Sequence, residues 1–478
     1  MPLILGTNSI KDTGYDVANS CRFEASDSQK MVKTLGTPTS TKIGTVSCWV
    51  KRGSIGVEQH FFGTKQDGND RCSIGFDDSA EGELHIVQED SGSLSYQFKT
   101  TARFRDPSAW LHLVLAIDTT QASASNRVKI YINGTQVTDF ATETQPSQDT
   151  VIRYGISGEE LVVGAKFGGG GSYGTFYSGY LAEVVFIDGQ QLDPTSFGEF
   201  DSDSPTIWKP IDVSGLTFGN NGFYLDFENS GSLGADVSGN SNNFTVNNLT
   251  SVDQSTDTCT NNFATMNPLN IPTSNQPTFS EGNLKTVTST SGSGRFGGSS
   301  TFGVSQGKWY IEAKATIGST YSRNSIGVSY NPAEMARNNS DNVLTHTTYA
   351  WGWDSSDGSV YHDSSVVASY ASYTTGDICQ IFLDLDNHKL YFGKNGTLQS
   401  STGISLDTVE TYFIAQADRT GTSDTSTFEF NFGSPSYSIS SGNTDGEYGN
   451  FEYSTTITGD GASKTFKALN SKNLAEFG

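Results

Sequence analysis

At roughly 100–200 residues per domain, a chain of 478 residues predicts about two to four domains. Its formal net charge is −23 and its pI is about 4.5, and an acidic surface of this size argues against nucleic acids and anionic membranes as partners. No segment reaches the ~18 consecutive apolar residues of a membrane-spanning helix, so the sequence predicts no membrane insertion.

The composition is typical of short β-strands joined by many turns. Aromatic residues make up 12% of the chain and there are 52 glycines, whereas only 17% of the residues are charged. Helix-favouring runs of Leu, Glu, Lys and Ala are nearly absent, and the only helices predicted are short. The pattern therefore predicts an all-β fold class with antiparallel β-sandwich domains.

The first predicted unit covers residues 1–205. Residues 127–132 alternate between apolar and polar side chains and end at the hairpin signal Asn133-Gly134. Residues 110–117 are almost continuously apolar, which predicts a strand covered on both faces. The glycines from Gly168 to Gly171 predict a flexible loop.

Three further segments follow along the chain. Residues 206–275 contain one clear strand but too little apolar surface for an independent core, which predicts a short β-containing connector packed on its neighbours. Residues 276–433 show regular strand patterns and predict a second sandwich of the jelly-roll type. Residues 434–478 predict a tail that packs on this sandwich and ends in a short helix.

The N-terminus and the cysteines bear on where the chain is made. The stretch from Met1 to Ile10 has no basic segment and is not predicted to be a signal peptide. The five cysteines are scattered without a CxxC pair, which predicts free thiols buried as small apolar groups. Both features fit synthesis in a bacterial cytoplasm and release by lysis.

The third unit resembles a SPRY domain. The resemblance rests on four ordered pieces, which are GKWYIE at 307–312, IGV at 326–328, the hairpin at 352–362 and the stretch from 376 to 396 that ends in LYFGKNG. Together they match the family's strand sequences in order. The resemblance implies a β-sandwich built for binding, with Trp309 and Tyr391 in its interior.

The first unit is similar to laminin-G and concanavalin A-like jelly rolls. The matching pieces are VSCWVKRG at 46–53, WLHLVLAID at 110–118, VKIYINGTQV at 128–137 and the segment 179–201. The polar run at 236–243 also resembles an element of jelly-roll modules. The fold class that follows is two antiparallel β-sandwiches joined by a short connector.

This pairing of domains is similar to virion proteins of tailed phages from marine bacteria. The ending FKALNSKNLAEFG at 466–478 resembles segments that close SPRY units in such proteins. The resemblance implies a virion location, and it implies other virion proteins and a host-cell surface glycan or envelope protein as partners. A homo-oligomer is expected because appendages repeat around symmetric particles.

Aromatic residues near turns are the candidate ligand contacts. Tyr349, Trp351 and Trp353 alternate along one strand and share a face, and Tyr361 is expected to approach from the facing strand. A second set is Tyr173, Phe176 and Tyr177 beside the glycine loop. Such rings bind sugars or anchor protein interfaces, and the alternative in both places is packing within the sandwich.

The patterns of catalytic sites are absent. Jelly-roll glucanases carry two carboxylates as Glu-x-Asp-x-Glu on one strand, and the nearest candidates here are Glu183 and Asp188. Their separation of five places them on opposite faces of a regular strand, so they are interpreted as a solvated charge and a turn aspartate. The histidines show no metal-ligand spacing, and His112 is interpreted as a satisfied core or face residue. No enzyme activity is predicted.

Calcium is the one ion that the sequence suggests, and no cofactor is expected to be required. Asp226, Asp236, Asn240 and Asn242 combine hard oxygen ligands with a turn that could gather them. The alternative is that these side chains satisfy the backbone of turns.

Three functions remain open at this point. The first is a virion surface protein, such as a tail or head fibre, that binds a host-cell glycan or envelope component. The second is a structural decoration or tail component that binds no receptor. The third is a glycan-degrading enzyme, which would need a pair of carboxylates about 5–9 Å apart in an open cleft.

Overall fold

The computed structural model describes residues 13–478 apart from nine short segments, at 78–81, 169–171, 274–275, 289–294, 319–322, 337–342, 409–410, 420–424 and 443–445. The stretch Met1–Ile10 and the glycines at 169–171, for which sequence predictions were made, lie outside the described residues. The described chain forms two compact units, residues 13–260 and 261–478, which we call the N-terminal unit and the C-terminal unit.

The N-terminal unit is built almost entirely from short strands. In chain order they are β1 Ser20–Phe23, β2 Lys30–Thr34, β3 Ile43–Arg52, β4 Gln59–Lys65, β5 Arg71–Asp77, β6 Glu83–Asp90, β7 Ser93–Arg103, β8 Trp110–Asp118, β9 Val128–Ile132, β10 Thr135–Gln136, β11 Phe140–Thr144, β12 Glu160–Val163, β13 Lys166–Phe167, β14 Tyr173–Gly174, β15 Gly179–Asp188, β16 Gly198–Phe200, β17 Trp208–Pro210, β18 Phe223–Leu225, β19 Thr245–Asn247 and β20 Gln254–Ser255. Single 3₁₀ turns occur at Ala25–Asp27, Ala124–Asn126, Arg153–Gly155, Pro194–Ser196 and Ser251–Asp253.

Two eight-stranded antiparallel sheets face each other across the core of this unit. The first has the order β10-β9-β8-β3-β15-β1-β20, with β18 added to β15, and the second has the order β11-β7-β6-β5-β4-β12-β2-β19. Alternation decides which side chains enter the core, so Leu113 and Leu115 of β8 point inward. Val114 packs into a separate apolar cluster, so the predicted strand is covered on both faces.

The residues from 206 to 260 complete this first sandwich. Strand β18 pairs with β15, β19 with β2 and β20 with β1. Phe223, Leu225 and Phe244 are buried in the main core of the N-terminal unit. The stretch has too few apolar residues for a core of its own, and it buries them in the core that the preceding strands supply.

The C-terminal unit is also built from short strands. They are β21 Thr278–Ser280, β22 Lys285–Val287, β23 Arg295–Val304, β24 Lys308–Thr316, β25 Arg323–Ser329, β26 Ala350–Asp354, β27 Ser359–His362, β28 Ser365–Ser369, β29 Ile378–Asp384, β30 Lys389–Lys394, β31 Thr397–Leu398, β32 Ile404–Ser405, β33 Tyr412–Arg419, β34 Thr427–Asn431, β35 Thr456–Gly459, β36 Ala462–Thr465 and β37 Lys467–Ala468. The helices are α1 Pro332–Met335, α2 Val343–His346 and α3 Ser471–Phe477, and a 3₁₀ turn lies at Glu281–Asn283.

Two sheets again enclose the core of this unit. One has the order β21-β22-β34-β24-β29-β30-β31, with β32 on β30 and β37 on β24, and the other has the order β23-β33-β25-β26-β27-β28. Trp309 is fully buried between the sheets, as predicted. Each unit is thus an antiparallel β-sandwich, and the predicted all-β fold class is confirmed.

The tail covers the outer face of the first of these sheets. Tyr310, Phe382 and Tyr391 point away from the sandwich core and pack against Phe451 and Phe466 of the tail. Tyr391 is therefore buried, but beneath the tail, because Leu390 and Phe392 on either side of it take the inward positions. The short helix predicted near the C-terminus is α3, which Asn470 caps through its side chain.

Two further findings, on membrane-spanning helices and on the cysteines, concern only the described part of the chain. Its helices include none that is long and apolar enough to cross a membrane. All five cysteines are free thiols, and four of them are buried, as predicted.

Candidate ligand-binding site

A cavity of about 460 Å³ opens at one edge of the C-terminal sandwich. It lies where β28 of one sheet and β32 of the other come together, so residues of both strands line it. Its volume falls within the ~300–1,000 Å³ that is usual for small-molecule sites. The lining residues are Trp351, His362, Val367, Ala368, Tyr370, Ser400, Thr402, Gly403, Ile404, Ser405 and Asp407.

An aromatic stack lines the inner side of this pocket. The His362 imidazole lies flat on the Trp351 indole, with ring centres 4.1 Å apart and planes at 6°. Trp351 is only 2% exposed, so its contribution to the pocket is a small part of its surface. A ligand would meet His362 and the half-buried ring of Tyr370 before it meets the indole.

The predicted shared face of Trp351 and Trp353 is found in the structure. Both side chains point toward the core from β26. Trp353, however, has no exposed surface and packs against Tyr373 and Phe392, at ring distances of 4.9 and 5.4 Å. The alternative of core packing therefore applies to Trp353, and it cannot contact a ligand directly.

The expectation that Tyr361 approaches these tryptophans is wrong. Tyr361 pairs with Gly352, and paired residues lie on the same face, which is opposite to the face of Trp351. Its hydroxyl donates to Asp357 at 2.8 Å. A shift of one residue in the hairpin register exchanges the two faces, so His362 occupies the place that the sequence suggested for Tyr361.

Further aromatic rings continue from the stack but do not line the pocket. Tyr330 lies 6.0 Å from Tyr349, 5.8 Å from Tyr412 and 6.3 Å from Trp351, measured between ring centres. Tyr349 is half-buried in this array. The Tyr412 hydroxyl donates to the backbone carbonyl of Asp407 at 2.8 Å, which fixes the rim of the pocket to the array.

The polar groups of the pocket are chiefly hydrogen-bond acceptors and hydroxyls. His362 Nδ1 lies 3.1 Å from the carbonyl oxygen of Ala350, so Nδ1 carries the proton and Nε2 is left as an acceptor. Asp407 is the one carboxylate among the lining residues, and those described include no lysine or arginine. Such a set suits a neutral ligand with several hydroxyl groups.

The second predicted aromatic set divides into a core residue and two surface residues. Tyr177 is fully buried, donates to the carbonyl of Lys51 at 2.7 Å and packs against Phe61. Tyr173 and Phe176 are half-buried beside a small apolar cluster. The ammonium of Lys30 lies 4.6 Å from the Tyr173 ring centre.

The residues predicted as calcium ligands serve as turn caps. Both carboxylate oxygens of Asp236 accept hydrogen bonds, from the backbone of Tyr224, Ser238 and Asn242 and from the Ser238 hydroxyl, at 2.7–2.9 Å. Asn240 and Asn242 both donate to the carbonyl of Gly222, and Asp226 accepts from the next turn. This geometry favours turn capping over calcium binding.

The two carboxylates considered for catalysis are both buried and hydrogen-bonded within the protein. Asp188 is buried and accepts from three backbone N–H groups, of Thr39, Ser40 and Asn221, at 2.6–3.1 Å. Glu183 has a φ of 50° at a bulge in β15, and it accepts from the Tyr224 hydroxyl at 2.7 Å. The prediction that Glu183 is a solvated charge is wrong, because the bulge turns it into a site that is 5% exposed.

Replacing Glu183 by glutamine should stabilise the N-terminal unit at alkaline pH. Burial raises the pKa of Glu183 to about 7, above the ~4.3 of an unfolded glutamate. Its contribution to stability is therefore complete below about pH 4 and is lost as the pH rises through 7. We expect E183Q to raise the free energy of unfolding by about 1–3 kcal/mol at pH 8.5 and to leave it nearly unchanged at pH 4.5. Urea unfolding at both pH values checks this, and equal effects at the two would contradict it.

Comparison with protein families identifies the two sandwiches. The model of the concanavalin A-like lectin/glucanase superfamily matches residues 26–192, and the SPRY domain model matches residues 308–418. The chain thus contains a concanavalin A-like domain followed by a SPRY domain. The pocket lies in the unit that carries the SPRY match. Among curated proteins, none matches the chain significantly.

Several solved structures are similar to parts of the chain. The SPRY domain of human HERC1 is 18% identical, with 34% of this chain and 96% of that chain covered and a TM-score of 0.29. A pentraxin from Limulus polyphemus is 14% identical, with 37% and 79% covered and a TM-score of 0.27. A Bacteroides ovatus protein with a provisional assignment as carbohydrate binding is 13% identical, with 49% and 59% covered and a TM-score of 0.34.

Proposed function

We propose that this chain binds a neutral carbohydrate through the pocket between β28 and β32. The observation that carries the proposal is the pocket itself, which combines an aromatic inner side with Asp407, His362 Nε2 and the hydroxyls of Ser400, Thr402 and Ser405. Sugars offer apolar C–H faces to aromatic rings and hydroxyl donors to carboxylates. The match to a lectin-type domain in the N-terminal unit agrees with a protein whose function is binding.

The charge of the chain supports a neutral rather than an acidic glycan. The formal net charge is −23. Asp407 is the one carboxylate among the described lining residues, while the Lys389 ammonium contacts the Gly403 carbonyl and the Ser405 hydroxyl at 3.2 and 3.3 Å. The net negative charge of the chain opposes the entry of a uronate or sialic acid. Neutral hexoses carry no such cost.

We propose binding without catalysis. Glycoside hydrolysis uses two carboxyl groups on either side of the scissile bond, and the described lining residues contribute one, Asp407. The fold of each unit is compatible with an enzyme, so the proposal rests on the side chains at the pocket. Failure to release reducing sugar from a polysaccharide that the protein binds is the result we expect.

The setting that we propose for this binding is the surface of a virion. It is supported by the sequence resemblance to tailed-phage proteins, and the partners would be other virion proteins and a host-cell surface glycan or envelope protein. A repeated surface component would self-associate. The alternative is a structural decoration protein that binds no glycan, and the binding assay below separates the two.

Binding of neutral glycans by the purified full chain tests the function. We expect a neutral glycan on an array to bind saturably, and D407N to weaken the affinity about tenfold, since a hydrogen bond to a charged group contributes about 1.5–3 kcal/mol. The matched control is D363N, the same change at an exposed aspartate that is outside the lining and has a φ of 48° that asparagine tolerates. No binding to any neutral glycan, or equal affinities for D407N and D363N, would contradict the proposal.

A further inference from the structure

Two histidines meet on the outer face of the second sheet of the N-terminal unit. His60 of β4 pairs with Gly75 of β5, and Gly75 pairs with His85 of β6. Residues paired in this way share a face, and because Gly75 has no side chain the two imidazoles approach each other across it. Their ring centres are 6.0 Å apart and their planes are inclined at 66°.

Gly75 is required for this arrangement. A Cβ atom at position 75 would lie 2.5 Å from Cγ of His60 and 2.2 Å from the carbonyl oxygen of Gln59. Contacts that short do not occur, so any other residue would displace the His60 ring. The sequence thus places a glycine between two histidines that are 25 positions apart in the chain.

Each imidazole is held through its Nε2 atom, and its Nδ1 atom has no hydrogen-bond partner. His60 Nε2 lies 3.0 Å from a carboxylate oxygen of Glu58 and 3.4 Å from Lys166 Nζ, and His85 Nε2 lies 2.9 Å from the amide nitrogen of Gln97. Nδ1 of both rings is buried and makes no hydrogen bond. Buried polar atoms are nearly always satisfied, so two such nitrogens side by side need a cause.

His112 shows what a histidine of purely structural function looks like in the same unit. Trp208 Nε1 donates to its Nδ1 at 2.9 Å, and its Nε2 lies 2.8 Å from the Ser47 hydroxyl. Both of its nitrogens are therefore partnered, and the prediction of a satisfied core or face residue is confirmed. In the His60–His85 pair, by contrast, the Nδ1 atom of each ring has no hydrogen-bond partner.

Two ion pairs flank the two imidazoles. The charged groups around them are Glu58, Asp77, Lys99 and Lys166, which form the ion pairs Glu58–Lys166 and Asp77–Lys99. One carboxylate oxygen of Glu58 contacts both the His60 imidazole and the Lys166 ammonium.

We propose that His60 and His85 form a site for a divalent transition-metal ion bound through the two Nδ1 atoms. Metal–nitrogen bonds of about 2.0–2.1 Å place the centres of two ligating rings about 5–6 Å apart, and the observed 6.0 Å lies at the upper end of this range. Glu58 on His60 Nε2 is the carboxylate–histidine contact that orients metal-bound imidazoles and raises their basicity. Gln97 Nε2 faces His85 Nε2, so ligation through His85 Nδ1 requires this amide to turn until its oxygen accepts from Nε2–H.

The ion class follows from the ligands. Imidazole nitrogen suits Zn²⁺, Cu²⁺ and Ni²⁺ better than Ca²⁺ or Mg²⁺. In the described part of the chain, no group of three or more His, Cys, Asp or Glu side chains is placed to hold a metal. From the described residues, the proposed site therefore has two protein nitrogens, with water as the remaining ligands.

The experiment is titration of the untagged full chain with Zn²⁺, with the heat of binding measured by calorimetry. We expect one equivalent to bind, H85N to weaken the affinity at least tenfold, and E58Q to weaken it about tenfold through the lost contact to His60. The matched control is H388N in the C-terminal unit, which should bind as the wild type does. Circular dichroism of each variant establishes that it is folded.

A spectroscopic measurement identifies the ligating atom. In ¹⁵N spectra of histidine-labelled protein, Zn²⁺ should shift the Nδ1 resonances of two histidines and leave those of the others unchanged. These two should be the histidines whose resonances H85N and E58Q affect. No binding by the wild type, or equal binding by wild type and H85N, would overturn the proposal. Shifts at Nε2 instead of Nδ1 would overturn it as well.

Discussion

Replacing Arg153 by methionine should lower the free energy of unfolding of the N-terminal unit by about 3–5 kcal/mol. Arg153 is 7% exposed, and its guanidinium contacts Asp70, Asp90 and Glu159 at 2.5–2.6 Å. Glu159 is 1% exposed, so removal of the cation leaves a buried carboxylate without a counter-charge. Such an uncompensated charge costs far more than the ion pair itself contributes.

The loss of stability caused by R153M should depend on pH. Burial already raises the pKa of Glu159 in the wild type, and loss of the guanidinium should raise it further. A group whose folded pKa is raised contributes stability below its unfolded pKa and loses it as the pH rises. The deficit of R153M should therefore shrink as the pH is lowered toward about 4.5.

Urea unfolding at pH 7.5 and pH 5, monitored by hydrogen exchange in residues 13–260, measures the destabilisation by R153M and its dependence on pH. The control is K42A, which removes an exposed pair with Asp149 whose side chains are 36% and 57% exposed. Such pairs contribute about 0–1 kcal/mol. An R153M deficit no larger than that of K42A would show that the buried cluster does not stabilise this unit.

Ending the chain at Gly433 should prevent the C-terminal unit from folding. The tail buries Tyr310, Phe382 and Tyr391, and its Lys464 lies 3.1 Å from Asp384, which is fully buried. Glu312 is also fully buried and accepts from the backbone N–H groups of residues 452 and 453 at 3.0 and 2.8 Å. Truncation thus exposes an apolar face and leaves two buried carboxylates with fewer partners.

Limited proteolysis and dye binding of the truncated chain measure whether the C-terminal unit still folds. Two point variants test the contribution of the tail without removing it. F466A should cost about 3–5 kcal/mol as a large-to-small change at a fully buried ring. S463A, at an exposed position of the same hairpin, should stay within about 0.5 kcal/mol of the wild type. A truncated chain that keeps a protease-resistant C-terminal unit would contradict the account.

Strand patterns predicted much of the fold because alternation and turn residues are local properties. The apolar run at 110–117 is a strand covered on both faces, and Trp309 is in the core, as expected. The contribution of residues 206–260 to the first sandwich was less visible, since Phe223 and Phe244 reach a core made by strands far away in sequence. Short segments with few apolar residues do not reveal which sheet they join.

The site was predicted less well because it depends on register. One residue of hairpin register decided that His362, and not Tyr361, stacks on Trp351. A bulge changed the surroundings of Glu183, and pairing across Gly75 brought together two histidines that have no metal-ligand spacing in the sequence. Pairing between strands is a long-range property, and a single sequence read locally does not contain it.

A crystal structure of the full chain with its best neutral saccharide tests the central claim most directly. We expect the sugar between β28 and β32, with hydroxyl groups within hydrogen-bond distance of the Asp407 carboxylate and His362 Nε2 and with its apolar face against Tyr370. A sugar bound elsewhere on either unit, with no density in this pocket, would contradict the account.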